Sequence, residues 1–599
     1  MVARVIHPKN TVKNKKPVKN LQAGISKKNI IPIDSSAERF NPWILFVILA
    51  VTFIVYIPSL QNDLLKTWDD QAYITHNDLV KSLTPGGISR IFREDRGLYA
   101  NYHPLTTLSL AINYSIPGTS TLGYHLTNLL LHLLNTFLVF LFIFMLPGRK
   151  VIVATIAAIL FGIHPMHVES VAWISERKDV LYTLFFMASL IAYLYYLKRD
   201  YDLKFYLLAL FLFTCSLLSK AMAAPLPLVL FLIDYITGRK WNIKVLLEKI
   251  PFFLFSIGFG ILAMRIQTEG HAAGILFPFS NRILHACYGF IGYIVKLLVP
   301  SGLSAFYPYP YPLVNSSWVL DHTPFILFLT LALTLILWTV LIIRLIKQDE
   351  KYRPFIFGFL FYAAIITLVL QFIPVGRAIM ADRYSYLPSI GIFIIIGFLA
   401  DHIYEQKKYR SLVIAFILVY SGILAIMTFE RTKVWKTDET LWTDVINKYP
   451  GDGRILLAIA NRANFFYLEN RMPEALKDYL LAASINPNDD AVLEKIGRIY
   501  GKEMNKMDSA LYYLQKAYSR NNRNYDVLSD LGIVLGMRRE LRSSLDYSLQ
   551  ALQINRSDAS LLYNIGITYQ NLGEPGKAKE FLELSAKMNA TQHDSTGKK

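Results

Sequence analysis

The sequence predicts an all-α protein in two unlike parts. One is a polytopic membrane bundle of about eleven crossings, residues 43–430; the other is an α-solenoid of tetratricopeptide-type repeats, residues 456–592. Three observations carry this. The chain is 53% hydrophobic with a mean hydropathy of +0.34, and its apolar residues fall in long blocks. Basic residues collect in every second loop between those blocks. After residue 456 the composition turns soluble, and small residues recur at a spacing near 34.

Bulk composition also excludes. The formal charge of +18 points to cytoplasmic loops rather than nucleic acid, because no aromatic and basic platform accompanies it. Two cysteines, Cys215 and Cys287, both in apolar stretches, exclude a disulfide framework and a cysteine zinc site.

In chain order, residues 1–42 form a basic tail without periodicity, read as cytoplasmic. Apolar runs follow near 43–60, 122–146, 151–163, 180–197, 205–219, 223–236, 247–264, 323–345, 354–374, 387–401 and 411–428. Arg149-Lys150, Lys198-Arg199, Arg239-Lys240, Lys347 with Arg353, and Lys407-Lys408 lie on the side of the tail. The loops 61–121, 164–179, 265–282, 300–322 and 375–386 then face outward, and so do the repeats. Residues 283–299 break the count and read as re-entrant or interfacial. Residues 104–116 read as a short amphipathic helix of the first outer loop.

Residues 431–455 read as a connecting helical segment. Beyond them Ala463, Gly497, Gly532 and Gly566 occupy one close-packing position of four repeats. Ala475, Ala510, Ser544 and Ala578 occupy a second, and Ala482, Ala517, Ala551 and Ser585 a third, with a one-residue slip in the second repeat. Residues 593–599 are a polar tail.

The outer loops hold the residues with chemistry. Asp69-Asp70 follows the first apolar run, flanked by Trp68 and Tyr73. Neighbouring side chains on a turn point apart, so one acid can accept a proton while the other orients a partner. Two solvated acids are the alternative. The second outer loop, HPMHVESVAWISERKDVLY (164–182), brings His164, His167, Glu169, Glu176, Arg177, Lys178 and Asp179 between two apolar runs. Ionised groups there cost about 2.5–3.5 kcal/mol each when central, so they require partners or a wet cavity. His164 and His167 stand three apart. A divalent metal is conceivable, but no third ligand is apparent and no metal ligands are assigned; hydrogen bonding is the stronger reading. Arg177 and Lys178 suit a phosphate. Lys220 at a helix junction, Arg377, and Asp382-Arg383-Tyr384 add to the same face, with His103 before the interfacial helix.

A lipid-phosphate-linked sugar would use such a set. Its transfer to a hydroxyl needs one base, and the leaving phosphate is already an anion held by cations. A single displacement of this kind inverts the anomeric centre.

TWDDQAYI, HPMHVESVAWISERKDVLY, SKAMAAPLPLVLFLIDY and ADRYSYLP, with the repeats behind them, resemble the transmembrane and tetratricopeptide-repeat-containing O-mannosyltransferases and related bacterial membrane proteins. The resemblance runs from about residue 43 to the last repeat, and the second-loop stretch is its most specific part. It implies a C-type glycosyltransferase fold, a dolichyl- or polyprenyl-phosphate sugar donor and serine or threonine acceptors. It makes Asp69 and Asp70 the catalytic position. The expectation is then Asp69 or Asp70 as base, with Arg177, Lys178, Lys220, Arg377 and Arg383 on the donor phosphate. His103, His164, His167, Glu169, Asp179, Asp382 and Tyr384 would shape the site. The partners would be the lipid-linked sugar, surrounding membrane lipid, and an acceptor polypeptide or protein at the repeats. A bacterial inner membrane, with the repeats periplasmic, is favoured over the endoplasmic reticulum. A non-catalytic membrane scaffold, or transfer to a glycan or lipid, are the rival readings.

Overall fold

The computed structural model describes residues 40–95, 101–116, 121–269, 277–310, 323–372 and 376–596. The basic tail to residue 39, loop residues 270–276 and 311–322, and the last three residues of the polar tail lie outside them. Among the described residues every regular element is helical, apart from one isolated antiparallel bridge between Tyr307 and Met380.

Among the described residues seven helices are long and apolar enough to cross a bilayer: Pro42–Gln61, Thr121–Met145, Ile174–Lys198, Ile243–Ile266, Phe325–Lys347, Glu350–Val369 and Lys407–Val434. Val151–Ile163 and Pro165–Ala172 form an eighth candidate, bent by 51°. The bend falls where Pro165 can neither donate a backbone hydrogen bond nor continue the helix. Leu203–Ser219, Ala221–Ile236 and Ser389–Tyr404 are apolar but shorter than the roughly 20 residues of a straight crossing. Bare backbone contact holds part of this bundle together. A Cβ on Gly391 would stand 2.3 Å from the Gly358 carbonyl, so the helices Arg353–Ile366 and Ser389–Tyr404 touch main chain to main chain.

The stretch expected to be re-entrant is one unbroken helix, Phe279–Leu298. A fold-back would need a backbone break, and there is none. Both halves of the helix contact the segment Tyr307–Tyr309: His285 lies 5.2 Å from the Tyr309 ring and the Lys296 ammonium 4.9 Å from the Tyr307 ring. The short helix expected over 104–116 is Pro104–Tyr114.

The last apolar helix does not stop near 430 but runs on as Arg410–Val434. Asp438–Lys448 follows, started by a capping box between Thr437 and Thr440. Then come four helical hairpins: Leu456–Leu468 with Met472–Ile485, Asp490–Arg498 with Met507–Arg520, Tyr525–Met537 with Leu541–Ile554, and Ala559–Asn571 with Pro575–Thr596. The slip in the second repeat has a physical form. Gly497 to Ala510 is one residue longer than Gly532 to Ser544, and a π-helical turn, Ile499–Glu503, takes up the extra residue.

Candidate active site

Four segments distant in sequence converge at one end of the bundle: loop 62–77, the turns 164–180, the junction at Lys220, and the turn Asp382–Ser385. Their charged groups form one connected set. Glu176 is its hub, 3.2 Å from Lys178, 3.3 Å from Lys220 and 3.3 Å from Arg383. Lys220 reaches Asp179 at 2.5 Å, and the Ser170 hydroxyl donates to the other Asp179 oxygen at 3.1 Å. Arg383 pairs with Glu169 and also donates its backbone N–H to that carboxylate at 3.0 Å. Asp69 closes the set 3.9 Å from Lys178. The Lys178 ammonium lies over Tyr73 at 4.7 Å, and the Arg383 guanidinium over Trp173 and Tyr384 at 5.6 and 4.8 Å.

Access separates these groups. Glu169 and Asp179 side chains are 1% exposed, Glu176 2%, Lys178 8% and Lys220 9%. Asp69 keeps 24% and Arg383 18%. The buried members hold one another in place. The two at the rim, an acid and a guanidinium, are the ones a substrate can reach, and among the described residues the second Arg383 amino group has only the Tyr384 hydroxyl at 3.5 Å.

The two acids of the pair do point apart. Asp70 is buried and accepts from the Leu65 N–H at 3.0 Å, the Ser175 N–H at 3.0 Å and the Ser175 hydroxyl. It fastens the loop 62–77 to the turns 164–180. Burial pushes its carboxyl up to about 6, against those hydrogen bonds. Burial also raises Asp69; Lys178 pulls it down most strongly, with Glu176 opposing and Arg383 and Lys220 helping.

Arg177 does not join the cations expected to hold a phosphate. It is fully buried and donates to Asn128 Oδ1 at 2.7 Å, to the Tyr124 carbonyl at 2.8 Å, to the carbonyl and hydroxyl of Ser109, and to Asn113 Oδ1. A guanidinium so spent ties the helix Pro104–Tyr114 to the Thr121–Met145 helix. Arg377 is exposed beside Gly376 and outside the ionic set. His164 Nε2 meets the Leu297 carbonyl at 3.1 Å while its Nδ1 accepts from Met166 N–H. His167 bonds the Phe161 carbonyl at 2.8 Å and the Ser389 hydroxyl at 3.1 Å. Both rings are saturated as turn fasteners, which is the hydrogen-bonding alternative. Among the described residues no group of three or more His, Cys, Asp and Glu side chains is placed to hold a metal ion. His103 donates its backbone N–H to Asp95 at 3.2 Å; burial, with the fields of Lys178 and Lys220, pushes its imidazole down to about 3, so it is neutral. Asp382 accepts from the Tyr307 hydroxyl at 2.6 Å and lies 3.9 Å from Arg431. Lys220 points inward, onto Glu176 and Asp179.

Several residues of the site escaped the sequence reading. His125, Asn128, His132 and Asn135 form a polar stripe along one face of an otherwise apolar helix. They bond the carbonyls of Asn62 (3.0 Å), Val171 and Trp173 (3.3 and 3.2 Å), Gly162 (3.0 Å) and Val180 (2.8 Å). Their spacing of three and four was the available signal, since polar side chains in an apolar helix face the bundle interior. The connecting segment was the other omission. Trp435 and Trp442 stack with Trp68 and Trp173, with ring centroids between 4.5 and 6.2 Å, beside Asp69.

No family model matches the chain. Among curated proteins it is similar to "Protein O-mannosyl-transferase F38B6.6" of Caenorhabditis elegans, 26% identical over 442 residues, covering 69% of this chain and 58% of the relative. It is also similar to human "Protein O-mannosyl-transferase TMTC3", 22% identical over 625 residues, covering 87% of this chain and 66% of the relative. A third, "Protein O-mannosyl-transferase tmtc2" of Xenopus laevis, is 32% identical over 226 residues, 35% of this chain and 26% of the relative. The chain thus spans 58% and 66% of the length of the first two. Among solved structures, that of MamA aligns at a TM-score of 0.24 with 13% identity, covering 26% of this chain and 88% of its own.

Proposed function

We infer that this chain is a membrane glycosyltransferase that moves a sugar, mannose-like, from a polyprenyl- or dolichyl-phosphate donor to a serine or threonine hydroxyl of a protein. The observation that carries the reading is the rim of the ionic set. One reachable carboxylate, Asp69, lies 3.9 Å from an ammonium and beside a guanidinium with an amino group to spare. The names of the relatives agree with it.

In this mechanism Asp69 takes the proton of the acceptor hydroxyl as its oxygen attacks the anomeric carbon. The bond from that carbon to the phosphate oxygen breaks, its electrons leave with the phosphate, and the sugar inverts. Arg383 and Lys178 hold the phosphate, with Lys220 behind them; Glu169, Glu176 and Asp179 keep the cations aimed before the substrate arrives. The longest contact in the set, Lys178 to Asp69, is the least costly for a phosphate to replace, so donor binding releases the base. The cluster faces outward, the basic loops inward, and the repeats offer their groove to the acceptor polypeptide.

The test is transfer of labelled mannose from a synthetic mannosyl polyprenyl phosphate by the purified full chain. Label on protein that protease releases as glycopeptides supports the reading. Label surviving protease moves the acceptor to a glycan or lipid, and absence of both transfer and donor binding overturns the enzyme.

A further inference from the structure

The helix after the last membrane span has more contact with the first outer loop than a linker requires. Asp438 is 1% exposed, and its carboxylate accepts from the Lys66 N–H at 2.7 Å, the Thr67 N–H at 3.0 Å and the Thr67 hydroxyl. Its own helix does not need those oxygens, because Thr437 and Thr440 cap it. One turn on, the Trp442 indole N–H donates to the Thr67 hydroxyl at 2.9 Å, and its ring lies 4.8 Å from Trp68. Asn62 donates to the Thr432 carbonyl at 3.3 Å, and Asp63 N–H to the Lys436 carbonyl at 2.9 Å. Asp69 therefore sits between two clamps. Asp70 grips from the membrane side, through Leu65 and Ser175. Asp438 grips from the soluble side, through the two residues before Trp68.

We propose that the helix Asp438–Lys448 completes the active centre, and that Asp438 is a positioning residue that sets Asp69 through the backbone of Lys66 and Thr67. The inference rests on the glycosyltransferase reading for its effect on turnover, though not for the clamp itself. A buried carboxylate is costly unless its oxygens are satisfied, and its bonds to the loop all go to two adjacent residues, Lys66 and Thr67. The consequence is a coupling between the repeats and the chemistry. Displacing the first soluble helix, as an acceptor seated in the repeats could do, would shift the base relative to Lys178.

The experiment uses the full chain in lipid nanodiscs, with Asp438→Asn, Asp438→Glu, Trp442→Phe and the control Glu469→Gln. Glu469 pairs with Lys66 only at the exposed surface, so its loss should change turnover by no more than about twofold. Four readouts are taken: kcat, donor KM, the acid limb of the kcat/KM profile, and amide exchange over residues 62–75. Asp438→Asn is expected to lower kcat at least tenfold with donor KM held within threefold, and to speed exchange at Lys66 and Thr67 at least tenfold. The acid limb should move to lower pH, because a loosened Asp69 regains water while still facing Lys178, Glu176, Arg383 and Lys220. Asp438→Glu should recover part of kcat, and Trp442→Phe, which keeps an aromatic ring but loses the indole N–H to Thr67, should lose less than Asp438→Asn. Faster exchange with unchanged kcat and acid limb would overturn the positioning role. Unchanged exchange would overturn the clamp. If the native chain transfers no sugar, the enzymatic reading falls, and exchange alone then decides the clamp.

Discussion

Asp69→Asn and Asp70→Asn are nearly the same substitution chemically, yet the structure assigns them opposite outcomes. An amide at position 69 keeps the shape and removes the base. General-base catalysis contributes about 10²–10⁴-fold, so kcat should fall by that factor, or about 3–5 kcal/mol of barrier. Stability should not fall. The nearest cation, Lys178, stands 3.9 Å from Asp69 and only 3.2 Å from Glu176, so it keeps its better partner. Burial already disfavours the Asp69 charge, so neutralising it costs the fold little. At position 70 the carboxylate accepts from two backbone N–H groups and a hydroxyl. An amide has one accepting oxygen, and its NH₂ would face a donor. One buried N–H loses its partner, at about 1–3 kcal/mol, and the outer loops loosen. Transfer from labelled mannosyl polyprenyl phosphate and thermal unfolding of the same preparations measure both. Asp69→Asn should be inactive with wild-type Tm and donor KM; Asp70→Asn should unfold earlier and be only partly active. Full activity in Asp69→Asn, or an inactive Asp70→Asn with unchanged Tm, would refute the division of roles.

Arg383→Lys keeps the charge but cannot reach Glu169, Glu176 and a phosphate together; kcat/KM for the donor should drop at least tenfold, mostly through KM. Trp68→Ala removes the partly buried ring between Trp173 and Trp442 and should destabilise by less than the roughly 3–5 kcal/mol of a fully buried Trp, read as a lower Tm. At the far end of the bundle Lys249 pairs with Asp234 at 2.5 Å, both side chains 1% exposed. Lys249→Met leaves that carboxylate with Arg239 at 3.3 Å and the Tyr193 hydroxyl at 2.8 Å, so it should cost about 1–3 kcal/mol while leaving donor KM unchanged. Because burial raises the Asp69 carboxyl, its basic form is lost as pH falls through that raised value. The acid limb of kcat/KM should therefore lie above the usual aspartate value of about 3.9, and Lys178→Met, which removes the main opposing charge, should move it higher still.

The all-α class, the apolar runs and the repeats were legible because each rests on periodicity along the chain. Even the slip in the second repeat was visible, though only the structure gives its form as a π-turn at Ile499–Glu503. The convergence of Asp69, Glu169, Lys178, Lys220 and Arg383 could be read as charge that needs partners. Which charge is paired with which could not, because that depends on helix rotation and loop direction. Arg177 and Lys178 are adjacent in sequence and leave the helix in different directions, one to a structural cage of carbonyls and amides, the other to the acids. The role of Asp438 was hidden for another reason. Its partners are backbone N–H groups some 370 positions away, and a backbone group carries no residue signature.

Stability alone is a poor reason for the cluster. Four carboxylates and three cations lie together in it, most of them buried, and replacing buried ion pairs by apolar side chains of similar volume is commonly neutral or stabilising. The pattern of exposure supplies a better reason. If the charges only held loops together, nothing would favour leaving the rim to one acid and one guanidinium while five other groups are sealed. A site that must receive an anionic headgroup and then withdraw a proton needs that division. Its cations must be pointed before the substrate arrives, since reorienting them during the reaction would cost the stabilisation they supply. Its base must stay reachable and only weakly held. The 3.9 Å contact between Lys178 and Asp69 meets both demands, being close enough to hold the carboxylate in place and loose enough for a phosphate to take its position.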